Sequence, residues 1–126
     1  MLRARDSVPH FEVMSIEGTS VRYSTLWQRN NLVMVTLPAD DADRTSDYLS
    51  RLSSISPDLA ELNTALVTTR QVVQGVEPGV LVADRWGEIC FTRVASQVSE
   101  LPDPDDLVDW ARYLQYQCPE CQGEAR

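Results

Sequence analysis

Residues 32–37 read Leu-Val-Met-Val-Thr-Leu, five of the six are apolar, and the run ends at Pro38. A strand with one face in water alternates apolar and polar side chains, whereas a continuous apolar run is typical of a strand covered on both faces. The run therefore predicts a central strand of a parallel or mixed sheet. Everything else in the chain has to be arranged around it.

Other spacings predict the elements around this strand. The acids Asp40, Asp41 and Asp43 can cap a helix start, and helical spacing of apolar residues follows, so we expect a helix over residues 42–54. Ser56-Pro57 then has the form of an N-cap and first position of a second, short helical piece. The remaining expectations are a hairpin in residues 11–23, strands at 64–69, 79–83 and 89–94, and a final helix after residues 103–106 that ends at Cys118 because Pro119 disfavours helical geometry there.

Length and charge narrow the class of protein. A chain of 126 residues suits one domain, residues 1–126, with residues 118–126 as a cysteine-containing tail. The net charge of -8 repels phosphate backbones and anionic lipid, so neither nucleic acid nor a membrane is an expected partner. Basic residues near Met1 are not followed by an apolar stretch, and no segment is apolar enough to cross a bilayer, so the expectation is a soluble, acidic, cytoplasmic protein.

Two segments carry a resemblance to a known family. The opening Val8-Pro9-His10-Phe11-Glu12-Val13, followed by Glu17-Gly18-Thr19-Ser20-Val21, is similar to a redoxin hairpin, and residues 77–89 are similar to a proline-led strand with an Asp-x-x-Gly turn. Over residues 8–116 the chain thus resembles the redoxin, or peroxiredoxin-like (AhpC/TSA-type), domains of the thioredoxin-like superfamily. The resemblance implies an α/β thioredoxin-like fold: a central mixed sheet flanked by helices, with an N-terminal β-hairpin.

The resemblance also assigns a role to Pro78. It implies that Pro78 is the family's cis proline, which lies beside the active site and turns the backbone so that it can pair with an extended substrate. A cis bond before proline costs only about 0.5–1 kcal/mol. An ordinary trans proline at the start of a strand is the alternative.

The family's reactive cysteine has no counterpart in this chain. Relatives carry it after the first central strand, at the amino end of the next helix, where the helix dipole stabilises a thiolate. Residues 38–46 contain no cysteine, and the peroxiredoxin pattern laid from Pro38 puts Thr45 at the peroxidatic position. A threonine hydroxyl has no accessible sulfenic state. We therefore expect no catalytic residue, and no peroxidase activity, at the usual site.

A binding surface at this site does not require the missing cysteine. The primary hypothesis is a protein- or peptide-binding module whose groove is formed by residues at the predicted helix start and beside the proline-led strand. No cofactor is required for this function. The groove residues are Pro38, Asp40, Asp41, Thr45, Glu77 and Pro78.

Three interpretations of Cys118-Pro119-Glu120-Cys121 remain open. The two thiols could be the redox pair of a thiol-disulfide oxidoreductase, although a helix that ends at Cys118, with Glu120 nearby, disfavours a thiolate. They could instead form half of a zinc site, completed by Cys90, His10 or a second copy of the chain in a zinc-bridged homodimer. The third interpretation is two inert thiols on a tail.

The remaining chemistry-bearing residues have simpler explanations. Cys90 lies between Ile89 and Phe91 in a predicted strand and is expected to fill the core. A lone histidine such as His10 is more often a surface or hydrogen-bonding residue than a ligand. Of the three tryptophans, Trp86 lies at a turn and is the one expected to be exposed to a partner.

Overall fold

The computed structural model describes residues 3–73 and 76–125, with side chains described as far as Tyr116. Its elements occur in the predicted order, with two short 3-10 helices added. They are β1 (Glu12–Met14), β2 (Ser20–Arg22), a 3-10 helix (Tyr23–Thr25), β3 (Asn31–Thr36), α1 (Ala42–Glu61), β4 (Thr64–Thr69), β5 (Gly79–Ala83), β6 (Ile89–Val94), a second 3-10 helix (Val98–Glu100) and α2 (Pro104–Ala125).

The predicted central strand is β3. In the four-stranded sheet the order is β4-β3-β5-β6, with β3 parallel to β4 and antiparallel to β5. Every residue of β3 is buried, and the strand begins one residue earlier than the apolar run because Asn31 pairs with Thr64. The continuous apolar run thus indicated the right strand, and the mixed sheet is confirmed.

Alternate side chains of β3 enter two separate cores, one on each face of the sheet. Val33 and Val35 pack in the larger core beneath α1 and α2. Leu32 and Met34 pack in the smaller core with Phe11, Val13 and Tyr23 from the N-terminal hairpin segment. Both helices therefore cover one face, and the hairpin covers the other.

The N-terminal hairpin is shorter than predicted. Val13 pairs with Val21 in a two-stranded sheet separate from the main one, and Gly18 turns the chain with a φ of 87°. Phe11 and Tyr23 lie just outside the two strands, where their stacked rings, 5.3 Å apart, are buried against the main sheet. The Tyr23 amide also donates to the Phe11 carbonyl at 2.9 Å, so a backbone hydrogen bond and packing against the sheet together hold these two residues.

The prediction of two helical pieces over residues 42–62 was wrong. The segment forms one continuous helix, α1, with Pro57 inside it. An interior proline loses one hydrogen bond and costs about 3 kcal/mol. However, Ile55 and Leu59 are buried on either side of the exposed Pro57, so a continuous helix keeps the whole apolar stripe in the core.

The predicted end of α2 was also wrong. We expected the helix to end at Cys118, and it continues to Ala125. Proline disfavours helical geometry at the preceding residue but does not forbid it. No helix in the described part of the chain has the length and apolar character needed to cross a membrane.

Gly79 is required where β5 begins, and replacing it should destabilise the fold. Its φ is 145°, and a Cβ atom there would overlap the carbonyl oxygen of Arg93 on β6. For Gly79→Ala we expect the backbone strain of about 1–2 kcal/mol together with an overpacking cost of about 1–3 kcal/mol. The measurement is the free energy of unfolding in urea.

Gly18→Ala is the matched control. Gly18 also has a positive φ, but a Cβ atom there would meet nothing within 4 Å. The free energy of unfolding of Gly18→Ala should fall only by the cost of backbone strain, about 1–2 kcal/mol. Equal losses in the two variants would contradict the overlap at Gly79.

Candidate functional site

The predicted groove residues lie on two segments, one that follows β3 and one that precedes β5. Thr36 at the end of β3 pairs with Gly79 at the start of β5, so Pro38 and Pro78 flank neighbouring strand ends. The amide of Leu37 donates to the carbonyl of Thr69 on the other side, at 2.8 Å. We call this region, residues 38–45 with residues 77 and 78, the β3–α1 corner.

Asp40 stabilises the β3–α1 corner through hydrogen bonds to two backbone amides. Its carboxylate accepts hydrogen bonds from the amides of Val98 at 2.8 Å and Asp41 at 2.7 Å, and its side chain is only 11% exposed. These bonds to backbone amides, first the one from Val98, lower the pKa of Asp40, and the Arg44 guanidinium adds to the effect. Asp40 thus joins the start of α1 to the second 3-10 helix.

Asp41 and Arg44 shape the start of α1. Asp41 is the N-cap, accepting a hydrogen bond from the Arg44 amide at 2.8 Å, and its carboxylate lies 3.3 Å from the Arg44 guanidinium. The acids after Pro38 were predicted to cap a helix, and Asp41 does so. Both side chains are exposed, and their ion pair contributes little in water.

Thr45 faces inward from the first turns of α1. It is 4% exposed, and its hydroxyl donates to the Asp41 carbonyl at 2.9 Å. This bond satisfies the hydroxyl without any neighbouring base. Thr45 therefore serves as a packed helix residue with no sign of an activated nucleophile.

Pro78 is part of the corner, and its peptide bond has the trans form given as the alternative, not the cis form that the resemblance implies. Within the described residues no peptide bond is cis, and the Glu77–Pro78 bond is trans. The unusual φ of Gly79 supplies the change of direction into β5, and the Pro78 carbonyl accepts from the Ala95 amide at 2.9 Å. Glu77 is exposed and Pro78 is half-buried.

The structure does not bring the other candidate metal ligands together. Cys90 is half-buried on the helix-covered face, where its thiol donates to the Val82 carbonyl at 3.4 Å. His10 is exposed on the opposite face, with its ring 5.7 Å from that of Tyr23. Across the described part of the chain, no three His, Cys, Asp or Glu side chains are placed to hold a metal.

The side chains of Cys118 and Cys121 lie outside the described residues, so the three interpretations of this pair stay predictions. Cys90 does pack against the larger core, as expected. Trp86 is 48% exposed at its turn, and Trp27 is 40% exposed beside it, where its indole N–H donates to the Trp86 carbonyl at 3.1 Å. Exposure of Trp86 was predicted, and that of Trp27 was not.

Sequence reasoning missed a concave surface between β6 and α2. It encloses about 560 Å³. The aromatic residues that line it are Phe91 on β6 and Trp110 and Tyr113 on α2. A signal was present, because Trp110 and Tyr113 are three residues apart and so share a helix face, but only the tertiary structure sets that face beside Phe91.

Comparisons with known proteins support the fold and nothing finer. No protein-family model matches the sequence, and neither does any curated protein. Among solved structures, the chain is similar to a yeast mitochondrial 1-Cys peroxiredoxin, with 14% identity, a TM-score of 0.73, and coverage of 95% of this chain and 79% of that one.

Two bacterial structures are also similar. Peroxidoxin BcpB from Mycobacterium tuberculosis is 14% identical, with a TM-score of 0.65 and coverage of 93% of this chain and 98% of that one. A thioredoxin-like protein from Bacteroides vulgatus is 11% identical, with a TM-score of 0.57 and coverage of 90% of each chain. The chain therefore has a thioredoxin-like fold of the redoxin, or peroxiredoxin-like, kind.

The hydrogen bonds of Asp40 make stability depend on pH. A carboxyl group whose pKa is lowered on folding stabilises the folded state above its unfolded pKa, about 3.9, and this contribution is lost as the pH falls through the lower folded pKa. Asp40→Asn should therefore unfold at lower urea concentration than the unsubstituted protein at pH 7. The difference in midpoint should shrink below about pH 4.

Asp43→Asn is the control for this experiment. Asp43 lies in the same first turn of α1 but is exposed. Its substitution should change the midpoint less at pH 7. A pH-independent difference between Asp40→Asn and the unsubstituted protein would contradict the role of the Asp40 charge.

Proposed function

We propose that this redoxin-fold protein is a binding module that holds an extended segment of a protein or peptide at the β3–α1 corner, without peroxidase chemistry there. The proposal has two parts, the loss of a reactive group and the retention of a binding surface. Each part has its own support.

The loss of reactivity is supported by Thr45. The segment from Pro38 to Ser46 contains no cysteine, and the family pattern puts Thr45 at the reactive position. The Thr45 hydroxyl is buried and bonded to a backbone carbonyl, and Asp40 and Asp41 are bonded to backbone amides. The polar groups of the corner stabilise the fold and leave no nucleophile for a peroxide.

The observation that carries the binding proposal is the backbone beside Pro78. No residue in the described ranges 3–73 and 76–116 hydrogen-bonds to the backbone of Glu77, which is exposed. Ala39, which follows the strand end paired with Gly79, is exposed as well. A partner chain lying in extended form along this segment could supply those bonds, as in strand addition. The trans geometry of Pro78 changes the path of such a partner and leaves the carbonyl and amide of Glu77 in place.

The tail cysteines support a competing proposal, a thiol-disulfide oxidoreductase. Thiol chemistry suits the peroxiredoxins to which the fold is similar. However, Glu120 and Glu124 are close to the two thiols in the sequence, and nearby negative charge disfavours a thiolate. A zinc-bridged dimer remains the third proposal, and native mass spectrometry with and without reductant would report its metal and its mass.

Thiol chemistry can be separated from binding with one double variant. We expect the reduced protein to consume hydrogen peroxide no faster per thiol than free cysteine, because no thiol lies at the start of α1. In the reduction of insulin disulfides by dithiothreitol, the protein and its Cys118→Ser/Cys121→Ser variant should both match the rate without protein. An accelerated rate that the double variant loses would establish the oxidoreductase instead.

Binding at the corner can be tested with a defined unfolded protein. We expect reduced, carboxymethylated α-lactalbumin to shift the NMR amide signals of residues 39–42, Glu77 and Gly79. Ala39→Trp should block the corner with a large side chain and weaken this binding about tenfold or more, which is at least 1.4 kcal/mol. Ala39 is exposed, so the fold should tolerate the change.

Ala60→Trp is the matched control for Ala39→Trp. Ala60 is also exposed, but it lies near the far end of α1. Binding by this variant should equal that of the unsubstituted protein. If the signals of the corner do not move, or if both variants bind alike, the corner does not hold extended chains.

A further inference from the structure

We propose that the concave surface between β6 and α2, the β6–α2 groove, binds a second kind of ligand: an extended partner segment in which every second side chain faces the groove, and these include both basic and aromatic or aliphatic ones. The segment would add to the outer edge of β6 as a strand. This site is separate from the β3–α1 corner and does not depend on the function proposed for it.

The floor of the β6–α2 groove is aromatic and open to solvent. The rings of Phe91 and Trp110 stack at 5.1 Å, and Tyr113 meets Trp110 edge-on at 5.8 Å. Tyr113 is 52% exposed, so one end of the floor lies in water. Apolar or aromatic side chains of a partner would gain by covering these rings.

The rim beside α2 is negatively charged. Asp106 and Asp109 line the groove, and the exposed Asp105 precedes them on the same helix. Asp109 pairs with Arg112 at 3.3 Å, but within the described residues no cation lies within 4.0 Å of the Asp106 carboxylate. Because opposite charges attract, this rim favours a partner with cationic side chains.

The opposite wall holds one positive charge. The Arg93 guanidinium lies 5.9 Å from the centre of the Phe91 ring and lines the groove from β6. A partner lysine would be repelled there and attracted to the α2 side. Arg93 therefore fixes the orientation expected of the ligand, with its basic side chains directed towards Asp106 and Asp109.

The outer edge of β6 has backbone groups for a new strand. β6 ends the sheet order, and in the described part of the chain no strand lies beyond it. The Ala95 amide donates to the Pro78 carbonyl, so the alternation of an antiparallel ladder directs the N–H and C=O groups of Thr92 and Val94 away from β5. Two donors and two acceptors are thus presented along the groove.

The protein already uses part of this edge in the same way. The Arg5 amide donates to the Ile89 carbonyl, and the Ile89 amide donates to the Asp6 carbonyl at 2.8 Å. Ser7 also forms an antiparallel bridge with Glu88. The start of β6 therefore accepts an extended segment of the chain itself, and the open remainder begins at Thr92, three residues after Ile89.

A second copy of the chain is a poorer occupant than a basic partner. Pairing two β6 edges would bring the acidic rims of both copies together, and each chain carries a net charge of -8. Like charges at such an interface oppose association. A cationic segment has the complementary charge.

The experiment uses a synthetic peptide, acetyl-Lys-Thr-Phe-Thr-Lys-Thr-Leu-Thr-Lys-amide, titrated into isotope-labelled protein; its lysine, phenylalanine and leucine side chains share one face of a strand. We expect shifts in the amide signals of β6 and of residues 105–113, and slower hydrogen exchange at Thr92 and Val94. The same peptide with glutamate for lysine should not bind. A version with alternate backbone amides N-methylated should lose most of the affinity, because it keeps the side chains but cannot form the strand ladder.

Two protein variants test the rim. Asp106→Asn/Asp109→Asn should weaken binding of the lysine peptide about fivefold or more, the combined effect of two exposed charge pairs. Asp58→Asn/Glu61→Gln makes the same change in net charge at exposed positions near the end of α1 and should leave the affinity unchanged. Tyr113→Ala, at an exposed ring, should weaken binding without disturbing the core.

Cross-linking gives an independent readout. The sequence contains no lysine, so a carbodiimide that joins carboxylates to amines has only the terminal amine as a competitor within the protein. The peptide is acetylated only at its N-terminus, so its lysine side chains keep free amines. One of these amines should therefore become linked to Asp106 or Asp109, and peptide mapping would identify the linked residue.

Several outcomes would overturn the proposal. Equal binding of the glutamate peptide, an undiminished affinity in Asp106→Asn/Asp109→Asn, or a protein dimer that covers β6 in sedimentation would each do so. Shifts confined to residues 39–42, Glu77 and Gly79 would assign the peptide to the β3–α1 corner instead. If α-lactalbumin does not bind at the β3–α1 corner but the lysine peptide binds along β6, the function proposed for the corner is wrong and the proposal for the β6–α2 groove is supported.

Discussion

Burial of β3 on both faces is the constraint on which the rest of the structure depends. Its side chains divide alternately between the core beneath the helices and the core beneath the hairpin, and none of its six residues is exposed. A strand of this kind needs a partner on each edge and a layer on each face. β4 and β5 fill the edges, α1 and α2 cover one face, and the N-terminal hairpin covers the other.

The two candidate binding surfaces follow from that arrangement. The β3–α1 corner exists because β3 ends next to the start of β5, and Asp40 then holds the first turn of α1 against the second 3-10 helix. The β6–α2 groove exists because β6 is the last strand of the sheet and α2 packs beside it. At the corner the side chains of Asp40, Asp41 and Thr45 are bonded internally and the backbone of Glu77 is open, whereas the groove presents carboxylates and aromatic rings to solvent. They therefore suit different ligands.

Local patterns predicted the elements well, and they failed where a longer-range interaction outweighed a local preference. Pro57 was expected to start a new helix, but the buried Ile55 and Leu59 favour one continuous helix. The start of α1 was predicted correctly because its signal, the acid-rich segment before Ala42, is local.

The sequence by itself determined the central strand, the order of the elements and the lack of a cysteine between Pro38 and Ser46, since apolar periodicity and residue identity need no spatial information. Only the tertiary structure decided that the Thr45 hydroxyl is buried and bonded, and that Phe91 meets Trp110. These contacts join residues on different elements, or fix which way a side chain faces. They arise from packing between layers, which no local pattern of residues records.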